Sequence, residues 1–205
     1  MAAGTHDEII RARGIRLLAG ADEVGRGAFA GPLVAAAVIL PEDDGIDDLD
    51  DSKRLSPAQR ESLADAVRSR ALAFHVVIVE PIEIDLRGLH RSNLWALRQA
   101  VLGLTPVPEH AVVDGYRLRE LPCTHEALAQ GDHHSRTVAA ASVLAKVTRD
   151  RIMRELDVVY PGYGFATNVG YGTSEHRAAL DNLGPSPVHR RTFHGVGQLS
   201  LWSTA

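Results

Sequence analysis

The stretch Asp22-Glu23-Val24-Gly25-Arg26-Gly27-Ala28-Phe29-Ala30-Gly31-Pro32-Leu33-Val34-Ala35-Ala36-Ala37-Val38-Ile39-Leu40 decides how the chain is read. Apolar runs over residues 15–24 and 32–40 flank a glycine-rich connection over residues 25–31. Two strand-length apolar runs joined in this way predict a β-hairpin. Asp22 and Glu23 stand at the end of its first strand. Neighbours on a regular strand point to opposite faces. For both acids to serve one site, the strand must end or bend at Glu23, and the glycines just beyond allow that.

Working outward, residues 41–51 carry seven acids, and so dense a like-charge run predicts a solvated loop. A helix is expected after Ser56, with Pro57 at its first position and Leu63 and Val67 four residues apart. Residues 73–79 read as a strand. Residues 89–104 read as a helix with Leu89, Leu94, Leu97, Val101 and Leu104 on one face. Ala111-Val112-Val113 is a short buried strand delivering Asp114, with Gly115 turning the chain. Residues 126–129 form one more short strand, ending at Gly131-Asp132. Residues 137–156 form the longest expected helix, its inner side holding Ala140, Leu144 and Val147. Its other side carries Lys146, Arg149, Arg151 and Arg154, a basic stripe suited to nucleic acid. A last helix begins at Thr173 or Ser174 and stops at Gly184, before Pro185. The class is α/β, a mixed β-sheet flanked by helices with a C-terminal helical part.

The chain has 205 residues, 45% hydrophobic and 23% charged. That suits a single domain, expected over residues 1–197, with 198–205 as a tail. The net charge of -4 argues against a protein that coats nucleic acid indiscriminately, but leaves room for a local basic groove. A lone cysteine, Cys123, excludes an intrachain disulfide framework and a multi-cysteine zinc site. The longest apolar run, residues 33–40, is too short to cross a bilayer. Residues 1–13 hold no apolar signal core, so a cytoplasmic protein is expected.

Asp22, Glu23, Asp114 and Asp132 all fall at or just after strand ends, where α/β sheets carry their sites. Burying an unpaired carboxylate is costly, and a bound divalent cation offsets that cost. Magnesium and manganese take oxygen ligands, and two such ions can clamp both oxygens of a phosphodiester displacement. Taken one at a time, each acid also fits a turn or a cap. Likewise Gly25-Arg26-Gly27 can bring backbone N–H groups to a phosphate or sugar, or can simply close a hairpin.

Taken together, these residues resemble a known family. Asp22-Glu23-Val24-Gly25-Arg26-Gly27, Asp51-Ser52-Lys53-Arg54-Leu55-Ser56, Val113-Asp114-Gly115 and Gly131-Asp132 occur in the order found in the bacterial type 2 ribonucleases H, the ribonuclease HII family. The order continues through Ala139-Ala140-Ala141-Ser142-Val143-Leu144-Ala145-Lys146-Val147-Thr148-Arg149-Asp150, then Gly170-Tyr171-Gly172-Thr173, then His189-Arg190-Arg191-Thr192-Phe193. The resemblance implies a ribonuclease H-like fold. It implies an endonuclease that cuts the RNA strand of RNA–DNA hybrids and incises 5′ of single ribonucleotides in duplex DNA, leaving 5′-phosphate and 3′-hydroxyl ends. By position, Asp22, Glu23, Asp114 and Asp132 match the family's metal-binding acids, with two Mn2+ or Mg2+ ions implied. Gly25, Arg26 and Gly27 would contact the ribose 2′-hydroxyl, and Tyr171 would pack beside it. Ser52, Lys53, Lys146 and Arg190 are candidate phosphate contacts.

Many family members carry His-Lys before Gly-Tyr-Gly-Thr, where this chain has Asn168-Val169. A type 2 rather than a type 3 enzyme is expected, since the type 3 enzymes usually carry an extra N-terminal domain before the first strand. Gln198-Leu199-Ser200-Leu201-Trp202 resembles the peptide by which bacterial repair proteins dock on the sliding clamp, though it can equally pack back on the domain. A monomer is expected. The competing readings are a non-catalytic nucleic-acid-binding module and a branched-DNA nuclease on the same fold.

Overall fold

The computed structural model describes residues 5–47, 49 and 55–197. In chain order the elements are α1 (Thr5–Arg11), β1 (Leu18–Val24), β2 (Leu33–Ile39), α2 (Pro57–Arg70), β3 (Ala73–Val79), α3 (Pro81–Arg87), α4 (Leu89–Leu102), β4 (His110–Asp114), β5 (Thr124–Leu128), α5 (Gly131–His134), α6 (Arg136–Val159), α7 (Phe165–Asn168) and α8 (Ser174–Leu183). The strands form one five-stranded sheet in the order β3-β2-β1-β4-β5. The expected hairpin is there: β1 and β2 pair antiparallel, as do β2 and β3. β4 and β5 run parallel to β1 and to each other. The sheet is therefore mixed, as the α/β reading required.

Each face of the sheet is covered by helix. Ala19, Ala21, Ala35 and Ala37 face α4 through Ala96, Leu97, Ala100 and Val101. Val34, Ala36 and Val38 face α2 and α6 through Leu63, Val67, Ala140 and Leu144. Small residues let α6 come close to β1. A Cβ built on Gly20 would lie 2.1 Å from the Thr137 carbonyl carbon, so only glycine admits that backbone. Ser56 caps α2 through its side chain and a capping box with Gln59, and Ser135 caps α6 by accepting from Val138 N.

Several boundaries differ from expectation. β1 does not stop at Glu23: its pairing continues through Glu23↔Ala35 and Val24↔Val34. β5 starts two residues early, at Thr124, in ladder register with β4, and α6 extends to Val159. α3 went unread, although Pro81 opens it and Glu80 and Glu83 form a capping box. The acidic segment is not simply solvated. Asp44 is buried and receives Arg136 Nη2 at 2.7 Å and Nε at 3.0 Å, while Ile46 and Leu49 join the α2–α6 core. Among the described residues, no helix is long and apolar enough to cross a membrane.

The close approach of α6 gives a direct test. Gly20→Ala should lower unfolding stability by at least about 2 kcal/mol, because the added methyl meets backbone that cannot step aside. Urea denaturation measures it, and an unchanged midpoint contradicts the packing described.

Candidate active site

The parallel ladder pairs Ala21 with Val113. One step further along, Asp22 and Asp114 stand side by side at the same edge of the sheet. Glu23 follows, on the other face of β1. The faces are visible in what each acid approaches. Asp22 leans on Ser142 of α6, while Glu23 turns toward Asn93 of α4. Asp22 Oδ1 also accepts the Glu23 amide at 2.7 Å. Gln130, in the left-handed conformation, turns the chain after β5. Gly131 N–H then donates to Asp114 Oδ1 at 2.7 Å, so Asp132 follows directly on a contact to Asp114.

This crowding leaves charge uncompensated. Burial pushes the Asp22 carboxyl from 3.8 up to about 8, with Asp114 and Glu23 adding repulsion and Ser142 opposing it. Burial likewise pushes Glu23 from 4.5 up to about 7, with Asp114 adding and Asn93 and Arg26 opposing. Glu23 Oε2 is buried with no hydrogen-bond partner, and both amide atoms of Asn93 are in the same condition. Asn93 is thus close enough to favour the Glu23 charge without closing a good hydrogen bond. Among the described residues, no three such side chains are already gathered around one point. Unneutralised carboxylates spread apart, and adjacent strand positions face opposite ways. A crowded set of acids with an orphaned buried oxygen fits a divalent cation, whose charge would draw the oxygens together.

The glycine turn lies beside these acids. Gly25 has φ +87°, and a Cβ there would meet Arg149 Nε at 2.1 Å. Gly27 is exposed, its missing Cβ 3.9 Å from the Tyr171 ring. Two buried arginines hold the turn by its carbonyls. Arg149 donates to Pro32 O at 2.9 Å and to Ala30 O at 3.2 Å. Arg190 donates to Gly31 O at 2.9 and 3.1 Å and to Arg26 O at 2.9 Å. The amides of Gly25, Arg26 and Gly27 make no backbone hydrogen bond among the described residues. Burial, and then the nearby Arg149 charge, lower Arg190 to about 9. Tyr171 is 36% exposed, with the Arg149 guanidinium 5.5 Å from its ring centre. Arg26 packs over the Tyr116 ring and donates to its hydroxyl.

Two expectations need correction. Arg190 was expected to contact phosphate, but it is fully buried beneath the turn, because five donors suit a cluster of carbonyls. The basic stripe on α6 is also largely spoken for. Arg149 is buried, Arg151 and Arg154 both pair with Glu61, and Lys146 pairs with Asp150 at 2.7 Å. Ser52 and Lys53 lie outside the described residues, as does the segment from Gln198 to Trp202. Asn168, at the position of the family's usual histidine, builds the turn before Tyr171. Its Nδ2 donates to Tyr163 O at 2.7 Å and its Oδ1 accepts from Gly170 N at 2.8 Å. Ser142, Asn93 and Arg149 were not singled out from sequence as site neighbours. A polar Asn93 on the apolar side of α4 was the available signal.

The raised carboxyls set the pH response of the metal-free protein. Between the ordinary and raised values, the folded chain holds protons that the unfolded chain has released, so stability falls as pH rises toward 8. The melting temperature of chelator-treated protein should therefore drop between about pH 6.5 and 8. Asp22→Asn should remove much of that drop and melt higher than wild type at pH 8. A wild-type melting temperature that rises over this range would count against the crowding.

Residues 19–196 match the family model described as ribonuclease HII. The ribonuclease HII of Salinispora arenicola is 52% identical over 95% of this chain and 73% of its own. Among solved structures, the ribonuclease H2 of Pyrococcus horikoshii aligns with a TM-score of 0.77 at 29% identity, covering 88% of this chain and 95% of its own. The ribonuclease HII of Archaeoglobus fulgidus, solved in complex with PCNA, aligns with a TM-score of 0.74 at 27% identity, covering 90% of this chain and 98% of its own. The sheet order, the acids at its edge and these matches agree: the chain belongs to the ribonuclease HII family, hydrolases whose ribonuclease H endonuclease activity acts on the RNA of RNA–DNA hybrids.

Proposed function

We propose that this chain also incises duplex DNA on the 5′ side of a single embedded ribonucleotide, leaving 5′-phosphate and 3′-hydroxyl ends. The observation that carries the reading is the juxtaposition of Asp22, Glu23 and Asp114 with a glycine turn whose amides are unspent. Asp22, Glu23, Asp114 and Asp132 would hold divalent cations, two Mg2+ or Mn2+ ions in this reading. When bound, such ions supply an acidified water and neutralise charge at the scissile phosphate.

The chain's own residues do the rest. The free amides of Gly25, Arg26 and Gly27 offer donors to the ribose 2′-hydroxyl, the group that separates RNA from DNA. Arg190 holds the Arg26 carbonyl and so fixes the peptide plane that carries the Gly27 amide, while Arg149 holds the far end of the turn by Ala30 O and Pro32 O. The Tyr171 ring, beside Gly27, supplies a flat wall for the neighbouring nucleotide. Lys146 would reach a phosphate by exchanging its partner Asp150, and Ser52 and Lys53 complete the backbone contacts in this reading. Such contacts set register and affinity rather than sequence preference. Gln198, Leu199, Leu201 and Trp202 form a candidate sliding-clamp peptide, and the Archaeoglobus relative was solved with PCNA. The working form is a cytoplasmic monomer.

A duplex carrying one ribonucleotide tests the proposal. Incision 5′ of that nucleotide is expected with Mg2+ or Mn2+ and none with chelator; binding without a cut in either metal would favour the non-catalytic module. Asp114→Asn should slow the cut by more than about a hundredfold while leaving the fold intact, since even a metal's outer partners are worth 10–100-fold. Tyr171→Ala should slow the embedded-ribonucleotide substrate at least about tenfold more than a long hybrid, the scale of one lost base-stacking contact. Equal losses on both would remove its role at the junction.

A further inference from the structure

His176, on α8, and His189, beyond it, are 0% and 1% exposed. Their rings pack together among Phe29, Tyr163 and Phe165. The pair touches none of the carboxylates, yet it ends on the backbone of Tyr171.

The direction of the contacts is fixed from both ends. Ser186 N–H donates to His189 Nδ1 at 3.0 Å, with Ser186 Oγ 2.8 Å from the same nitrogen. A backbone amide only donates, so His189 Nδ1 carries no proton, and the neutral ring holds its proton on Nε2. That Nε2 lies 3.0 Å from His176 Nε2, which must accept. Neutral His176 therefore holds its proton on Nδ1, 2.9 Å from the Tyr171 carbonyl oxygen. The carbonyl also accepts Thr173 N–H at 2.8 Å. One tautomer of each ring satisfies every contact.

We infer that His176 and His189 form a neutral, one-way hydrogen-bond relay that holds the Tyr171 carbonyl and so seats the Tyr171 ring beside Gly27. His176 is then a positioning residue for the substrate wall, an assignment that rests on the reading of Tyr171 given above. A second proton on His176 would set two N–H groups face to face at 3.0 Å. One on His189 would turn an N–H against the Ser186 amide. Burial lowers both rings, His189 to about 4, where the Arg191 charge acts in the same sense. Arg177 acts on His176 in the same sense. Those two arginines are the charged side chains that act on the pair from α8 and the C-terminal segment. The remaining neighbours are the aromatic rings and the Ser186 hydroxyl.

The relay is tested in the intact protein by a long-range 1H–15N correlation spectrum of the histidine rings. Expected are the Nδ1–H tautomer for His176, the Nε2–H tautomer for His189, and both rings neutral at the ordinary histidine value of about 6.5. Reversed tautomers, or a ring half-protonated at or above that ordinary value, would overturn the relay whether or not the enzyme cuts embedded ribonucleotides. For the positioning role, His176→Phe fills the aromatic pocket but removes the donor. It should slow incision at a single ribonucleotide about tenfold, the scale of one lost buried hydrogen bond. His176→Gln, which keeps a donor and an acceptor, should stay within about threefold. Folded His176→Phe protein that cuts as fast as wild type would overturn the positioning role. Failure of wild type to cut at all would instead refute the proposed function.

Discussion

Burial of neighbouring carboxyls at one end of the central strands is the constraint around which this structure is arranged, and their mutual repulsion adds to its cost. β1 carries Asp22 and Glu23 in adjacent positions, so they leave on opposite faces, and β4 brings Asp114 alongside in parallel register. Ser142 and the Glu23 amide steady Asp22, and Asn93 and Arg26 act on Glu23, yet burial outweighs them and both carboxyls stay raised. The fold tolerates this because the rest of β1 is locked. Gly20 admits the backbone of α6, and the alanines of β1 and β2 admit α4 and α6 on opposite faces. Stability comes from the buried layers, and the strain is confined to the strand ends.

Behind the glycine turn the sign of the charge reverses. Arg149 and Arg190 are buried, near each other, and bonded to carbonyls rather than carboxylates, with Arg149 Nη1 left without a partner. Carbonyl dipoles do not cancel a positive charge. The turn therefore sits between a negative edge that attracts cations and a positive floor that attracts phosphate. That polarity suits a phosphodiester lying across the turn with metal on one side.

Much of this was legible in the sequence. The hairpin followed from two apolar runs and the glycines between them. The delivery of Asp114 followed from Ala111-Val112-Val113, and the acids were recognisable from their ordered motifs. The part that was not legible depended on distant partners. Arg190 and Arg149 look like surface cations in a local window, because nothing nearby reveals that Gly31 O or Pro32 O, more than a hundred residues earlier, will receive them. Asp44 was lost in an acidic run for the same reason, since Arg136 is its partner. The end or bend expected at Glu23, for both acids to share one face, does not occur, because β1 stays paired with β2 through Val24. Instead the strand stays regular, and Asp114 bridges the two directions.

The account stands on carboxyls kept protonated by burial, with their neighbours' charge adding to it, until a cation displaces the protons. Calorimetric titration of Mn2+ into the protein at pH 7, in buffers of different ionisation enthalpy, measures this directly. On the order of one proton should be released per binding event, falling away by about pH 9 and reduced in Asp22→Asn, because metal ligands must deprotonate to bind. Binding at pH 7 without proton release, or with equal strength in Asp22→Asn, would contradict it.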